Sequence, residues 1–393
     1  MAGSDYREHV AATLFDTNSR ALGLYFRVFD SLTIRDEDYV PEPESLQPGK
    51  WATPARLVTH SDVLGVASIL RGNPTLTLRQ AGELLRRERN VTGSTDLLES
   101  IVRTSAQALF LLDFTEPRSI WQSDVGLNDF VSTRIPLARE ISPGARSALE
   151  NQRIMKAWKL RTRFGISFEG TNDLSQHLRL HTLRPTRPTL KIFRYTAFLR
   201  AQLDRLEKHG FSTDSNTLDR CLEIGCLPPR LIAETLHSIE DILFPFDDPK
   251  SGRILEKLIT KHGLDEDCAQ HKGLGMFSGE DMKEYRYWGE RLAELHRFMQ
   301  ERPPRNDFER WIKWQTSESN AFALALAALL VSIVVGILSL AVAALQCWLA
   351  WKAWKEPISN DDDLIAILRE IADLLQQEPQ YQRRRVPVTT KRL

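Results

Sequence analysis

Cysteine is scarce in this sequence, with four in 393 residues. So few cysteines do not make a disulfide framework, and they suit a reducing compartment. Net charge is absent too, because 52 Lys and Arg residues balance 52 Asp and Glu residues. Overall charge therefore favours neither a nucleic-acid binder nor a secreted acidic protein. The first residues contain no apolar segment, so we expect no signal peptide.

Motifs of the common nucleotide-binding and hydrolytic enzymes are missing as well. The sequence has no GxxxxGK[ST] phosphate loop and no GxSxG nucleophile elbow. Residues 273–279, GLGMFSG, follow a polar segment rather than a strand, so we interpret them as the loop before a helix. His177 and His181 have the spacing of a metallopeptidase pair, but Leu178 replaces the general-base glutamate. We interpret both histidines as structural and predict no cofactor.

One set of residues has ligand types that suit a structural zinc site. Cys221 and Cys226 are separated by four residues, and Cys268 and His271 form a CxxH pair. The first gap is wide, and Cys226 precedes an apolar helix, where a buried thiol is common. We therefore prefer buried thiols to a zinc site and predict no metal.

A long apolar run is the strongest signal that the sequence does contain. The residues from Ala321 to Leu345 include no charge. About 20 such residues cross the hydrocarbon of a bilayer, and a soluble core helix is seldom apolar on every face. We predict a single transmembrane helix. Residues suited to the headgroup zone flank it: Trp311, Trp314, Trp348, Trp351, Trp354, Lys352 and Lys355. Cys347, at the boundary, is open to palmitoylation, although a plain apolar cysteine is the preferred interpretation.

The charges beside this run favour one orientation. Four cations precede it within 20 residues: Arg302, Arg305, Arg310 and Lys313. Two follow it closely, Lys352 and Lys355. This excess predicts a cytosolic N-terminal side, so the glycosylation sequon at Asn90 is expected to stay unmodified. A helix from 321 to 345 would measure about 37 Å, which slightly favours a plasma or late secretory membrane over a thinner one.

The spacing of apolar residues predicts a mainly α fold with a small β-hairpin or sheet component. Two segments, HLRLHTL and TLKIFRY, alternate apolar and polar residues around a proline-rich loop and predict the hairpin. Helices are expected at these ranges: 61–70, 77–89, 95–112, 127–135, 196–209, 227–244 and 278–304. Ser61 and Thr95 are the expected N-caps of the first and third helices.

Five segments are predicted along the chain. They are a flexible N-terminal segment and linker (1–55), a cytosolic, mostly helical domain with two subdomains (56–300, divided into 56–140 and 141–300), a juxtamembrane segment (301–320), the transmembrane helix (321–345) and a C-terminal tail (346–393).

The tail contains an amphipathic helix, predicted at 361–376. One side of it carries an apolar stripe: Leu364, Ile367, Leu368, Ile371, Leu374 and Leu375. A helix this short is marginal alone in water, so we expect this stripe to be buried in a contact. Five acids against Arg369 alone disfavour an anionic bilayer as its partner. We predict that the stripe forms a homodimer, helped by the anchor that confines two copies to one plane.

Positive charge is concentrated in the middle of the chain. Between Arg139 and Arg200, thirteen Lys and Arg residues stand against four acids. Three interpretations remain open: contact with anionic headgroups, nucleic-acid binding aided by Trp158 and Phe164, or pairing with acids of the same chain. The candidate residues for contact with an anionic surface are Arg153, Lys156, Lys159, Arg161, Arg163, Arg184, Arg187 and Lys191.

Several short motifs occur in a distinctive order: NDLSQHLRL, LKIFRYTAFLRAQL, LPPRLIAETLHSIEDILFP and YRYWGERLAELH, with the basic, tryptophan-bearing FERWIKWQ before the anchor. This set resembles a group of filamentous-fungal (ascomycete) proteins. The resemblance spans roughly residues 60–350, short of the tail helix. It implies a helical N-terminal region and one C-terminal transmembrane helix, and it implies no activity.

These observations favour a membrane-anchored, non-catalytic interaction or scaffold protein. Its expected partners are the lipid bilayer, other proteins and a second copy of itself, while nucleic acid is disfavoured. One alternative is a membrane-bound enzyme whose site is assembled from scattered polar residues. A second is a tethered nucleic-acid binder in which the three helices of 61–112 form a winged-helix-like unit. Fold alone does not decide between them.

Overall fold

The computed structural model describes residues 5–38, 58–89, 91, 93–117, 119–182, 188–211, 218–270, 273, 277, 281–301, 321–355 and 365–373. The chain divides into two compact units, Met1–Arg302 and Pro303–Leu393. Most described residues are helical, and a few short strands form the only other regular structure in the described part of the chain. The predicted mainly α fold with a small β component is therefore confirmed.

The first part of the larger unit is built from five helices and one pair of very short strands. In chain order these are α1 (Asp5–Phe15), α2 (Gly23–Leu32), β1 (Thr33–Ile34), β2 (Val58–Thr59), α3 (His60–Gly72), α4 (Leu78–Arg89) and α5 (Thr95–Phe110). β1 and β2 pair in parallel. Helices α3, α4 and α5 pack against one another, and α2 packs against α5.

The expectation that residues 1–55 form a flexible segment is wrong for residues 5–38. Helices α1 and α2 bury apolar side chains in the core, including Leu14, Tyr25 and Phe29, each at most 1% exposed. The hydroxyl of Tyr25 donates to the carbonyl of Ala108 at 2.9 Å, which ties α2 to α5. Residues 39–55, the proline-rich part of the predicted linker, lie outside the described residues.

The C-terminal end of α1 is held by cations from two other helices. The carbonyl of Leu14 accepts from Arg71 Nη2 at 2.9 Å and from Arg205 Nη1 at 2.6 Å. Lys208 Nζ donates to the carbonyl of Asp16 at 3.0 Å. The last carbonyls of a helix have no partner within the helix, and this end of the macrodipole favours positive charge. These contacts fix α1 on the core.

Two predicted helix caps are displaced by one or two residues. Helix α3 is capped by Thr59 instead of Ser61: Asp62 N donates to Thr59 Oγ1 at 3.2 Å, and Thr59 N donates to Asp62 Oδ2 at 2.9 Å. Because each residue satisfies the other's backbone N–H, this capping box sets the start of the helix. Helix α5 is capped by Ser94 instead of Thr95.

The second part of the unit adds eight helices and a three-stranded sheet. In chain order they are α6 (Leu127–Arg134), α7 (Pro143–Glu150), α8 (Ala157–Arg163), β3 (Ser167–Thr171), β4 (Leu180–His181), β5 (Thr189–Phe193), α9 (Thr196–Lys208), α10 (Leu218–Glu223), α11 (Pro229–His237), α12 (Pro249–His262) and α13 (Gly289–Glu301). A π-helical turn, Ser238–Leu243, extends α11. The predicted hairpin is confirmed as the antiparallel pair of β4 and β5. β3 lies parallel to β5 on its other side, and the hairpin pattern did not predict it.

The helix predicted at 278–304 begins only at Gly289. The carboxylate of Glu234 accepts three backbone N–H groups just before this point, from Arg286 at 2.7 Å, Tyr287 at 2.8 Å and Trp288 at 3.0 Å. Glu234 is completely buried. Burial raises the pKa of its carboxyl group, against the effect of these donors. The three N–H groups therefore donate to a side chain instead of to the carbonyls of an earlier helical turn, and the helix begins after them.

His177 is structural, as predicted. Its Nδ1 accepts from the backbone N–H of Phe193 at 3.2 Å, and its Nε2 lies 2.7 Å from Ser238 Oγ. The ring is completely buried and packs edge-on against Trp288. Burial lowers the pKa of His177 well below its usual range, so the neutral ring is the folded form. His177 thus links the sheet to the π-helical turn.

Among the described residues of the smaller unit, one helix, Ala321–Lys355, is long and apolar enough to cross a membrane. An 18-residue window within Ala328–Lys355 has a mean hydropathy of 2.8, and the described side chains are exposed on every side. The helix continues past Leu345, where the predicted span ends. Lys352 Nζ lies 5.6 Å from the centroid of the Trp348 ring, and Lys355 Nζ lies 4.7 Å from that of Trp351.

Part of the predicted tail helix is also described. Residues 365–373 are helical, and the apolar side chains of Ile367, Leu368 and Ile371 are about half exposed. Leu364, Leu374 and Leu375 lie outside the described residues, as do Trp311, Trp314 and the juxtamembrane segment 302–320.

Candidate anion-binding groove

Helix α8 presents cations on its outer side because its apolar residues face inward. Ala157 and Leu160 are completely buried, while Arg161 and Arg163 are exposed. The helix ends at Arg163, and Gly165, two residues later, has a φ of +66°, a left-handed conformation that glycine adopts without a steric penalty. This turn directs the chain into β3 and leaves the basic side chains of α8 in solvent.

Helix α12 packs against α8 and β3 and carries a second row of cations. Pro249 occupies its first turn, and Gly263, with a φ of +62°, ends it. Apolar residues such as Ile254 and Leu258 are buried. Four exposed cations follow one another at spacings of three, four and four residues: Lys250, Arg253, Lys257 and Lys261. Residues at these spacings share one face of a helix.

The two helices meet around the indole ring of Trp158. Three cations surround this ring: Lys250 Nζ at 4.7 Å, Lys159 Nζ at 5.7 Å and the guanidinium carbon of Arg163 at 5.9 Å from its centroid. The backbone N–H of Trp158 donates to Ser251 Oγ at 3.3 Å. Cations over an aromatic face are attracted by its quadrupole. The ring therefore helps to hold like charges from two helices close together.

We call these seven residues the basic face: Lys159, Arg161 and Arg163 of α8 with Lys250, Arg253, Lys257 and Lys261 of α12. No ion pair joins any of them to a carboxylate in the described part of the chain. Unpaired cations keep their full charge for an external partner. The chemistry of the basic face therefore suits the binding of anions.

A groove of about 590 Å³ opens between α8, β3 and the C-terminal half of α12. Arg161, Lys257, Lys261 and His262 line it, and its apolar lining residues are largely buried: Ile166, Phe168, Ile254 and Leu258. Ser167 also lines the groove, with its hydroxyl 2.8 Å from Thr189 Oγ1. None of the described residues that line the groove is acidic. The groove is thus a concave, cationic part of the basic face.

The structure divides the eight residues predicted from the central positive charge. Lys159, Arg161 and Arg163 belong to the basic face. Lys156 Nζ pairs with Asp247 Oδ1 at 3.4 Å, and the carbonyl of Arg153 accepts from Lys159 Nζ at 2.8 Å. Lys191 stands in register opposite Glu169 in the sheet. Arg184 and Arg187 lie outside the described residues.

Sequence reasoning missed the contribution of α12. Its cations lie outside the range Arg139–Arg200, in which the excess of charge was counted. The signal was present, because Pro249 and Gly263 bracket the buried residues Ile254 and Leu258 at helical spacing. The spacing of the four cations on this helix would then have identified a basic stripe.

Two exposed apolar side chains lie in the segments that precede the two helices of the basic face. Phe246 is 84% exposed and Ile154 is 36% exposed. Each is close in sequence to the Lys156–Asp247 pair, which joins the segments that precede α8 and α12.

A second cleft, of about 740 Å³, lies between α2, α9 and a 3-10 helix, Glu266–Ala269. Three of its charged lining residues, Arg200, Asp265 and Asp267, make contacts within the protein. Arg200 Nε pairs with Asp267 Oδ2 at 2.7 Å, and its Nη2 pairs with Glu240 Oε1 at 2.6 Å. Asp265 Oδ2 accepts from Ala197 N at 3.1 Å, and burial raises the pKa of Asp265. These contacts hold α9 to the segments around it.

The three cysteines of the zinc hypothesis are buried. Cys268 Sγ donates to the carbonyl of Asp265 at 2.7 Å, and burial raises the pKa of this thiol. Burial also raises the pKa of Cys221 and of Cys226 to about 12. No group of three His, Cys, Asp or Glu residues is arranged to hold a metal within the described residues, and His271 lies outside them. Cys347 is exposed on the apolar helix.

Comparison of the chain with protein-family models, with curated proteins and with solved structures finds no match. The resemblance to the filamentous-fungal group stays a prediction.

Proposed function

We propose that this chain is a single-pass membrane protein whose helical unit is a non-catalytic interaction module that binds anionic phospholipid headgroups. The observation that carries the proposal is the basic face: seven cations on two packed helices, with no ion pair to a carboxylate among the described residues. Basic residues near an anionic leaflet contribute about 1 kcal/mol each. That contribution is available only from cations that are not already neutralised.

Two observations favour lipid over nucleic acid as the partner. The same chain contains a helix long and apolar enough to span a bilayer, which supports a location where headgroups are the most abundant anions. Phe246 and Ile154 add exposed apolar surface in the segments that precede the two helices, which suits the boundary between headgroups and acyl chains. A nucleic acid would need the cations and would gain little from this apolar pair.

A direct test is vesicle capture by the full-length protein. The protein is reconstituted in phosphatidylcholine nanodiscs and mixed with vesicles containing phosphatidylserine, with phosphatidylcholine vesicles or with single-stranded RNA. We expect capture of the anionic vesicles, and we expect it to weaken as salt is added. Substitution of the four α12 cations, Lys250, Arg253, Lys257 and Lys261, by Gln should lower capture about tenfold or more.

A matched control removes four exposed cations elsewhere in the same unit: Arg27, Arg79, Arg87 and Arg146 by Gln. This variant loses the same net charge and should keep most of the capture. Equal loss in both variants would mean that only net charge matters. Capture of RNA without capture of vesicles would replace the lipid proposal with the nucleic-acid alternative.

For the orientation, we propose a cytosolic N-terminal unit in a plasma or late secretory membrane. The support is the four-to-two excess of cations before the apolar run and the length of the run itself. Under this topology Asn90 never meets the glycosylation machinery. Protease added to sealed microsomes should digest the large unit. Asn90 should carry no glycan. A glycan on Asn90 would show the opposite orientation, with the N-terminal unit in the lumen.

A further inference from the structure

The basic face has two parts that differ in shape. At the N-terminal end of α12, Lys250 lies over the Trp158 ring, and Arg253 does not line the groove. At the C-terminal end, Lys257 and Lys261 line the groove with Arg161 across from them on α8. A flat bilayer surface can meet the first part but cannot enter the second. Only a group that projects from the surface can fill the groove.

The positive charge in the groove exceeds the charge needed to balance the negative C-terminal ends of the two helices. Both α8 and α12 end near it, and each helix C-terminus carries roughly half a negative charge. Two such ends sum to about one negative charge. Arg161, Lys257 and Lys261 supply three positive charges, and no described lining residue is acidic. About two positive charges are left for a ligand.

The chemistry of the lining residues selects the ligand class. Arginine binds phosphate oxygens in pairs, and lysine binds them as a point charge. A phosphate monoester carries about 1.5 to 2 negative charges at neutral pH, which matches the charge that remains. The volume of about 590 Å³ is that of a small-molecule site. Ile254 and Leu258 also line the groove and would contact the ring that bears the phosphate.

We infer that the groove between α8 and α12 is a specific site for a lipid headgroup that carries a phosphate monoester on a polyol ring. This inference rests on the proposed function and adds to it: the flat part of the basic face responds to surface charge, while the groove recognises one class of headgroup. The lipid source is favoured because the other cations of the basic face lie on the same two helices as the groove, where they can meet an anionic surface while the groove holds the headgroup.

The test compares two double substitutions that remove equal charge from the same helix. Lys257→Ala/Lys261→Ala alters the groove, and Lys250→Ala/Arg253→Ala alters the face outside it. The full-length protein in neutral detergent is titrated with inositol 1,4,5-trisphosphate by calorimetry. We expect the groove variant to lose about tenfold or more in affinity, and the matched variant to lose much less. All four side chains are exposed, so both variants should fold.

Vesicles identify the source of the phosphate groups. Protein in phosphatidylcholine nanodiscs is mixed with vesicles containing phosphatidylinositol 4,5-bisphosphate or with phosphatidylserine vesicles of the same surface charge. Preferential capture of the former, lost in the groove variant, supports the inference. If the free trisphosphate binds but the vesicles are captured without this preference, the ligand of the groove is not a lipid headgroup. No trisphosphate binding, or equal losses in the two variants, would overturn the site itself while capture of phosphatidylserine vesicles still supports the proposed function.

Discussion

The ammonium group of Lys250 lies 4.7 Å from the centre of the Trp158 ring and joins the two helices of the basic face. The cations of these two helices repel one another. A contact that offsets this repulsion and also keeps the positive charge cannot use a carboxylate. A carboxylate would supply attraction and remove the charge. The indole ring supplies attraction and leaves the ammonium charge in place.

A double-mutant cycle measures this contact. Trp158→Leu, Lys250→Met and the double variant are unfolded in urea, and the free energies of unfolding are compared. We expect a coupling energy of about 0.5 kcal/mol, because cation–π contacts at exposed sites are of that size. The cycle repeated with Lys257→Met, which lies over no described ring, should give no coupling. Equal coupling in both cycles would show that the ring does not bind Lys250 specifically.

Glu234 is expected to be essential for the start of α13. Glu234→Ala leaves three backbone N–H groups without their acceptor, and each buried donor without a partner costs about 1–3 kcal/mol. We expect the free energy of unfolding to fall by about 3 kcal/mol or more. Glu290→Ala, an exposed acid at the beginning of the same helix, should change it by less than about 0.5 kcal/mol. Similar effects of the two changes would refute the role of the buried carboxylate.

His177 should make the protein sensitive to acid. Burial lowers its pKa in the folded state, so the unfolded chain binds the proton more readily. The stability that its neutral ring provides is present above about pH 6.5 and is lost as the pH falls below that value. His177→Gln should be less stable at pH 7.5 but less sensitive to acid. The difference in slope from wild type is at most about 1.4 kcal/mol per pH unit. Parallel pH profiles would contradict this assignment.

The tail helix should mediate a dimer that depends on the membrane. Ile367 and Ile371 lie on one side of the helical residues 365–373 and are about half exposed. Ile367→Asp/Ile371→Asp should abolish the dimer trapped by cross-linking in membranes. Arg369→Asp changes the charge on the opposite side and should leave the dimer intact. A dimer that survives the double change must use another contact, and the small residues Ser332, Gly336 and Ser339 of the apolar helix would be tested next.

Local sequence signals predicted the elements that depend on neighbouring residues. The helix expected at 196–209 is α9, Thr196–Lys208, and the helix expected before Pro136 is α6, Leu127–Arg134. The hairpin was predicted because its strands alternate and adjoin one loop. β3 was missed because its partner is a parallel strand, reached through a connection that no alternation reveals.

The candidate site was predicted in part. Arg161 and Arg163 were identified from an excess of charge in one segment, but the basic face also includes four cations of α12. Trp158 and Ser251 are 93 residues apart, and their contact follows from packing. A count of charges along the chain cannot show which cations meet or which pair with acids. Lys156 and Lys159 were predicted together, yet only Lys156 is paired with a carboxylate among the described residues.

The contacts at the end of α1 also affect the order in which the protein can fold. Leu14 and its donor Arg205 are 191 residues apart, and the ring of Phe15 packs on Phe198 at 5.4 Å. Synthesis begins at the N-terminus, so α1 leaves the ribosome long before α9 exists. During this interval its apolar side chains lack the cover that α9 supplies, and apolar surface left exposed in a nascent chain favours aggregation or chaperone binding. The contacts of α1 are therefore completed only after α9 has been made.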